Sequence, residues 1–327
     1  MSLIIGVDGG GTNTRGVIAD LKGNILAEAS GGGSNYQTRG LSSAVREIKS
    51  VILGLIEEAN ARFDSVEEIV AGLAGVGRPT DRERLKRRLA GELPDEIGKK
   101  IYITTDLHVA LYGAVGRGEG LIVNAGTGAT AMGKDKSGEI ERADGWGFLL
   151  GDEGSGFWIG LQGIKRSLRF HDGRGPSTDL KEIVRLHYDL EDIEEIVPLV
   201  YRLLRESAHD SIASLSKPVF EAAEEGDAVA RSIVSDAGKK HGESAAAVMR
   251  KLDYSSSNLP IVLAGGVFSS SARSGLLESF EEEVNKTTRE WRYEEPLYSP
   301  KIGALIFACS RISCENFQPK LSGNHGS

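Results

Sequence analysis

Only two cysteines, Cys309 and Cys314, occur in 327 residues. A chain so poor in cysteine does not depend on disulfides, and this pair lacks the spacing of a zinc site. A reducing, cytoplasmic compartment is the expectation that follows. Basic residues are outnumbered, 39 Lys and Arg against 47 Asp and Glu, for a formal net charge of −8. Such a chain is a poor candidate for binding nucleic acid or a membrane surface. Its one basic cluster, "RPTDRERLKRRL" (78–89), alternates charge at helical spacing and reads as a solvated helix face. No apolar run approaches the roughly 18 residues of a membrane span. The N-terminus lacks a basic stretch and Asp8 interrupts its only apolar segment, so no signal peptide is expected.

What remains is ordinary globular composition, 40% hydrophobic and 26% charged, with length for two domains. Residues 3–8, 13–20 and 24–29 read as short strands joined by tight turns. Within "LSSAVREIKSVILGLIEEANAR" (41–62), Val45, Ile48, Ile52, Leu55, Ile56 and Ala59 recur at helical spacing. A buried strand at 67–75, a polar helix at 80–90, a strand at 100–105 and a helix at 106–115 follow. At 121 the pattern restarts: "LIVNAGTGATAMGKDKSGEI" can be laid under "LIIGVDGGGTNTRGVIADLKGNI" (3–25), strand for strand and turn for turn. The repeat predicts two copies of one mixed α/β fold facing each other. The second copy is longer, with helices expected near 155–170, 178–190, 193–216 and 227–252. A strand at 259–266, a helix starting at Ser269–Ser271 and an apolar helix at 299–312 complete it. The polar residues 313–327 read as a frayed end.

Three glycine-rich turns follow apolar strands: "DGGGTNT" (8–14), "AGTGAT" (125–130) and "AGGVFSS" (264–270). No G-x-x-x-x-G-K-[ST] string is present, and the first two turns lead into strands rather than opening a helix as a dinucleotide fingerprint does. A hairpin of nearly bare backbone instead offers amide N–H groups to phosphate oxygens. Thr12 and Thr127 add hydroxyl donors. Asp8, just before the first turn, would repel phosphate unless a cation intervenes, and Mg²⁺ held through water fits that need. A tight hairpin with no ligand is the bland alternative for any one turn; two in register across a repeat weigh against it.

These pieces resemble the actin, sugar-kinase and heat-shock ATPase superfamily. More narrowly, the chain is similar to N-acetylglucosamine kinases and other members of the BadF/BadG/BcrA/BcrD family. "GVDGGGTNTR", "GLAG" (72–75), "TTD" (104–106), "NAGTGAT" and above all "GWGFLLGDEGSGFWIG" (145–160) carry the resemblance. It implies two ribonuclease H-like α/β domains, a duplicated βββαβαβα, facing each other across a nucleotide and sugar cleft. Residues 1–115 with 300–321 would form the first domain, 116–299 the second and 322–327 a frayed tail.

Asp106 stands where a buried strand runs into a helix, so it is either a helix cap or a carboxylate that takes a proton from a sugar hydroxyl. The resemblance implies the second role. It likewise implies that Asn35, Asp106, Gly145, Trp146, Gly147 and Asp152 meet the sugar. The nucleotide would meet Gly10, Gly11, Thr12, Asn13, Gly126, Thr127, Gly128, Ala213, Gly265, Gly266 and Val267. Trp146 reads from its own context as a sugar-stacking ring or as plain core. The activity implied is an ATP-dependent, Mg²⁺-requiring sugar kinase acting on the 6-hydroxyl of N-acetylglucosamine. Glucosamine or a broader set of hexoses is the runner-up. The partners expected are sugar and ATP, with no nucleic acid and no membrane, and a homodimer is implied by relatives. An activase ATPase of a CoA-ester dehydratase is the rival from another class, but the second glycine turn and its flanks have no cysteine for a bridging iron–sulfur cluster.

Overall fold

The computed structural model describes residues 1–255, 257–269, 274–287, 289–314 and 316–321, apart from the side chain of Ser274. The chain forms two compact units. One comprises Met1–Gly118 with the described part of Pro296–Ser327, the other Glu119–Glu295.

The first unit holds strands β1 (Leu3–Gly9), β2 (Asn13–Asp20), β3 (Ile25–Gly32), β4 (Val66–Leu73) and β5 (Ile101–Thr105). They lie in the order β3-β2-β1-β4-β5. β1, β2 and β3 pair antiparallel, whereas β1, β4 and β5 run parallel. Strand β1 is apolar on both faces because helices cover both. Leu3, Ile5 and Val7 join Val45, Ile48, Ile52 and Leu55 of the helix Leu41–Glu58. Ile4 is equally buried on the opposite face. Each such fully buried side chain contributes about 1.5–3 kcal/mol. The helix Pro300–Arg311 packs on β1 and on the helix Asp106–Val115. A Cβ at Gly6 would lie 2.6 Å from the Lys301 carbonyl oxygen, and one at Gly303 would strike the backbone of Val109 and Gly113. Glycine at these positions is what lets the last helix return to the first unit.

The second unit repeats the plan with β6 (Gly120–Ala125), β7 (Ala129–Lys134), β8 (Ile140–Asp144), β9 (Leu259–Ala264) and β10 (Trp291–Tyr293). Read from its other edge the sheet runs β8-β7-β6-β9-β10, with the same pattern of antiparallel and parallel pairs as the first. The sequence repeat at 121 is therefore a repeat of topology.

Three expectations need correction. The helix expected over 193–216 is broken: a 3₁₀ turn at Ile193–Glu195 leads into Ile196–Arg205, and Ser207 at φ 55° ends it. A short helix, His209–Ala213, and an unanticipated one, Ser216–Glu225, follow. The three-residue strand β10 is also additional. Residues 316–320 are docked rather than frayed, since Phe317 is buried and the Lys320 N–H donates to the Gly23 carbonyl at 2.8 Å. Residues 270–273, where a helix start was expected, and the tail 322–327 lie outside the described residues; the described helix spans Ser274–Val284. Among the described residues no helix is long and apolar enough to cross a membrane.

Candidate active site

In the first unit, the hairpin between β1 and β2 is closed by the Gly10 N–H donating to the Asn13 carbonyl at 2.9 Å, leaving Gly11, Thr12 and Asn13 exposed. The Gly9 carbonyl accepts from the Ala74 N–H at 2.8 Å, which ties the turn to the "GLAG" segment. Asn35 backs onto the same place. Its N–H donates to the Gly10 carbonyl at 3.2 Å, and its Oδ1 accepts from the Gln37 N–H at 3.1 Å. Gly75, at φ 83°, faces that Oδ1 so closely that a Cβ would collide with it.

Asp8 and Asp106 stand at the carboxyl ends of parallel strands, the usual ligand-binding edge of such sheets. Asp8 lies opposite Gly72 of β4, which in turn lies opposite Thr104 of β5. The helix cap at this edge is Thr105, whose hydroxyl accepts from the His108 N–H at 3.2 Å. Asp106 is the first residue of the helix, and its Oδ1 accepts only the Leu107 N–H at 2.9 Å among the hydrogen bonds described. Burial, and after it the charge of Asp106, pushes the Asp8 carboxyl up to about 6, with Arg15 pulling the other way. Asp106 is solvent-accessible but crowded by protein, and that desolvation raises its carboxyl too.

In the second unit, the hairpin between β6 and β7 is tighter. Ala125 pairs with Ala129, and the Gly126 N–H donates to the Gly128 carbonyl at 2.9 Å. Gly9 pairing with Thr14 makes Gly9 the counterpart of Ala125, so Asn124 stands where Asp8 stands in the first copy. The hairpin rests on the start of the helix Gly156–His171, capped by Ser155: the Gly126 carbonyl accepts from the Gly156 N–H at 2.8 Å. Ala213 joins this cluster, its carbonyl oxygen lying 3.4 Å from where a Gly156 Cβ would stand. Thr127 donates its hydroxyl to Asp210 at 2.6 Å. The third glycine turn meets the same strand end, since the Val267 N–H donates to the Ala125 carbonyl at 3.0 Å. Val267 is buried and its N–H is spent there, whereas Gly265 and Gly266 are exposed.

The loop after β8 is organised by a residue that motif matching did not single out. Asp144, at φ 63°, accepts from the N–H groups of Gly145 at 2.8 Å, Asp152 at 2.8 Å and Glu153 at 3.0 Å. The sequence signal was an acid before glycine, the pair that tolerates left-handed backbone. Gly145 and Gly147 also have positive φ. Asp152, at φ 54°, accepts from the Gly147 N–H at 3.3 Å, and its carboxyl is raised chiefly by burial. A Cβ on Gly128 would lie 2.8 Å from its Oδ2, so Asp152 abuts the second hairpin. Trp146 is not core. It is 67% exposed, with the Arg142 guanidinium 4.6 Å from its ring centroid.

A duplicated five-stranded α/β fold with a glycine hairpin at the head of each copy is the fold of the actin- and hexokinase-like ATPases. Within that class the chain belongs to the BadF/BadG/BcrA/BcrD ATPase family, whose model matches residues 5–308. It is 32% identical over 321 residues to a Clostridium acetobutylicum protein named N-acetylmuramic acid/N-acetylglucosamine kinase, covering 96% of this chain and 100% of that one. It is 31% identical to the N-acetyl-D-glucosamine kinase of Dictyostelium discoideum, covering 94% and 97% of the two chains. A crystal structure from Chromobacterium violaceum, provisionally described as an N-acetylglucosamine kinase, is similar at a TM-score of 0.70 and 26% identity, covering 94% and 99%.

Proposed function

We propose that this chain is an ATP-dependent sugar kinase that transfers the γ-phosphoryl group to the 6-hydroxyl of N-acetylglucosamine. The observation that carries the proposal is the placement of Asp106: a solvent-accessible carboxylate at the end of β5, relieved of capping duty by Thr105. Burial raises its affinity for a proton, which strengthens it as a base. In this reading Asp106 accepts the proton of the sugar hydroxyl while that oxygen forms a bond to the γ-phosphorus. The bond to the β–γ bridging oxygen breaks, and ADP leaves with the electron pair. Phosphoryl transfer of this kind is mostly positioning and charge neutralisation. Gly10 to Asn13 and Gly126 to Gly128 would hold phosphates through backbone N–H groups, and Ala213, Gly265 and Gly266 would meet the nucleoside. Asn35, Gly145, Trp146, Gly147 and Asp152 would orient the sugar, with the exposed indole against a sugar face.

Asp8 fits a magnesium site. A carboxyl pushed to about 6 by burial and by a second carboxylate favours a nearby cation, and one protein carboxylate with water and phosphate is an ordinary Mg²⁺ donor set. The ion, when bound, would neutralise charge on the phosphates. The proposal further has the chain act on small molecules in the cytoplasm, as a homodimer.

The test is ADP release with ATP, Mg²⁺ and a panel of N-acetylglucosamine, N-acetylmuramic acid, glucosamine, glucose and mannose. The expected result is sugar-dependent turnover highest with N-acetylglucosamine. Asp106→Asn should keep nucleotide affinity and lose at least ~100-fold in kcat, the range of a positioned base. Sugar-independent ATP hydrolysis, or undiminished turnover in Asp106→Asn, would overturn it.

A further inference from the structure

We infer that Arg39 is a positioning residue for the first phosphate hairpin, setting the peptide plane that presents the Thr12 N–H. The inference rests on the kinase reading above and adds a residue to it. Arg39 ends the short helix Tyr36–Arg39, and its Nε donates to the Gly11 carbonyl at 3.0 Å. Beside it, the Gly10 carbonyl accepts from the Ser34 N–H at 2.9 Å and the Asn35 N–H at 3.2 Å. Every peptide bond among the described residues is trans. In a planar trans peptide the C=O of one residue and the N–H of the next point in opposite directions. Pinning the Gly10 carbonyl to residues 34–35 therefore turns the Gly11 N–H away from that segment. Pinning the Gly11 carbonyl to Arg39 does the same for the Thr12 N–H. Two successive amide donors are thus held on the face opposite residues 34–39, an arrangement suited to phosphate oxygens.

The contact is built rather than incidental. Gly33 is buried between the partners, and a Cβ there would collide with the Gly11 carbonyl oxygen and lie 2.7 Å from Arg39 Nε. Only glycine at 33 leaves room for the bond. Without Arg39 the Gly11–Thr12 peptide would be free to rotate, because nothing else among the hydrogen bonds described holds the Gly11 carbonyl.

The atom used sets the test. Nε of arginine and Nε2 of glutamine are both bonded to Cδ, so Arg39→Gln keeps a donor at the same place without the charge. Arg39→Lys keeps the charge but puts a methylene there. Magnesium–ADP and adenosine affinities are measured by calorimetry on wild type and on Arg39→Ala, Arg39→Gln and Arg39→Lys. Sugar KM and thermal unfolding are followed in parallel. Arg39→Ala should weaken ADP roughly tenfold, the scale of one hydrogen bond from a charged donor, with adenosine affinity, sugar KM and melting temperature unmoved. Arg39→Gln should restore most of the loss and Arg39→Lys little. Wild-type ADP affinity in Arg39→Ala overturns the inference, as does full rescue by Lys with none by Gln, which would mean a direct charge–phosphate contact. A wild-type chain that binds no magnesium–ADP overturns the kinase reading along with it.

Discussion

Replacing Asp8 by asparagine should stabilise the ligand-free protein at neutral pH while, in the magnesium reading proposed above, abolishing sugar phosphorylation. The carboxyl of Asp8 sits at about 6 against an ordinary 3.8, first because it is buried and then because Asp106 is close. Below pH 4 it is protonated in folded and unfolded chains alike and costs nothing. Between pH 4 and 6 the folded chain keeps the proton that the unfolded chain has lost, so stability falls as pH rises. Above pH 6 the folded chain carries the full cost of the buried charge. At about 1.4 kcal/mol per tenfold step in proton affinity, that cost is at most about 3 kcal/mol. Partial solvent access lowers it, and about 2 kcal/mol is the expected gain for Asp8→Asn, or roughly 4–8 °C in the melting temperature of a unit this size. The assay is calorimetry of both proteins without ligand at pH 4, 5, 6 and 7.5, repeated with Mg²⁺ and ADP. The advantage of the variant should be near zero at pH 4, grow through pH 6 and then level off. Magnesium–ADP should reverse it by stabilising wild type alone. A difference that does not change with pH, or a variant less stable at pH 7.5, would refute the reasoning.

Gly128→Ala places a methyl 2.8 Å from Asp152 Oδ2, so steady-state kinetics should give a sugar KM raised roughly tenfold, with the ATP KM raised as well because Gly128 belongs to the proposed phosphate hairpin. Asp144→Ala strips the acceptor from three backbone N–H groups, and urea unfolding should register a loss of about 2–3 kcal/mol. The Cys309 thiol is pushed up to about 12 by burial and then by Cys314 beside it. A thiol reagent at pH 8 should therefore titrate one cysteine, Cys314, in the native protein and both in denaturant. Asn124→Asp would install in the second copy the acid that the first one carries. With no cation to meet it, the variant should lose about 1–3 kcal/mol of stability at pH 7.5 and recover it near pH 4, where the acid is protonated.

Most of the fold was legible because the apolar strands are short, continuous and punctuated by glycine, and because the repeat reports the same punctuation twice. Leu3 to Val7 and Leu121 to Ala125 are the same buried strand in two sheets of identical order. The break at Ser207 was not legible, since nothing in "LLRESAHD" but a serine in the left-handed region ends the helix there. Nor was the docking of Lys320, whose partners Gly23 and Asn24 lie about 300 residues away. The two glycine hairpins, and Asp8 before the first, were legible as turns from residue type and spacing. Arg39 was not, because it acts on a backbone carbonyl and leaves no signature beyond its own identity, and Asp144 was marked only by the acid-before-glycine pair.

The two copies solve one problem with different materials. A glycine hairpin presents amide N–H groups only if its carbonyls are held behind it. In the second copy the helix start does this through backbone alone, with the Gly156 N–H on the Gly126 carbonyl at 2.8 Å and the Phe157 N–H on the Thr127 carbonyl at 3.4 Å. In the first copy the segment beneath the turn leads into the short helix Tyr36–Arg39, capped by Asn35. There the loop amides of Ser34 and Asn35 hold one carbonyl and a side chain, Arg39, holds the next. The acid is divided just as unevenly: Asp8 in one copy, the neutral Asn124 in the other. A buried carboxylate is costly unless something positive meets it, and only the first hairpin carries one. The copy that carries Asp8 is also the copy that carries Asp106, so in the reading proposed above the first unit would supply the charge chemistry and the second would hold and orient.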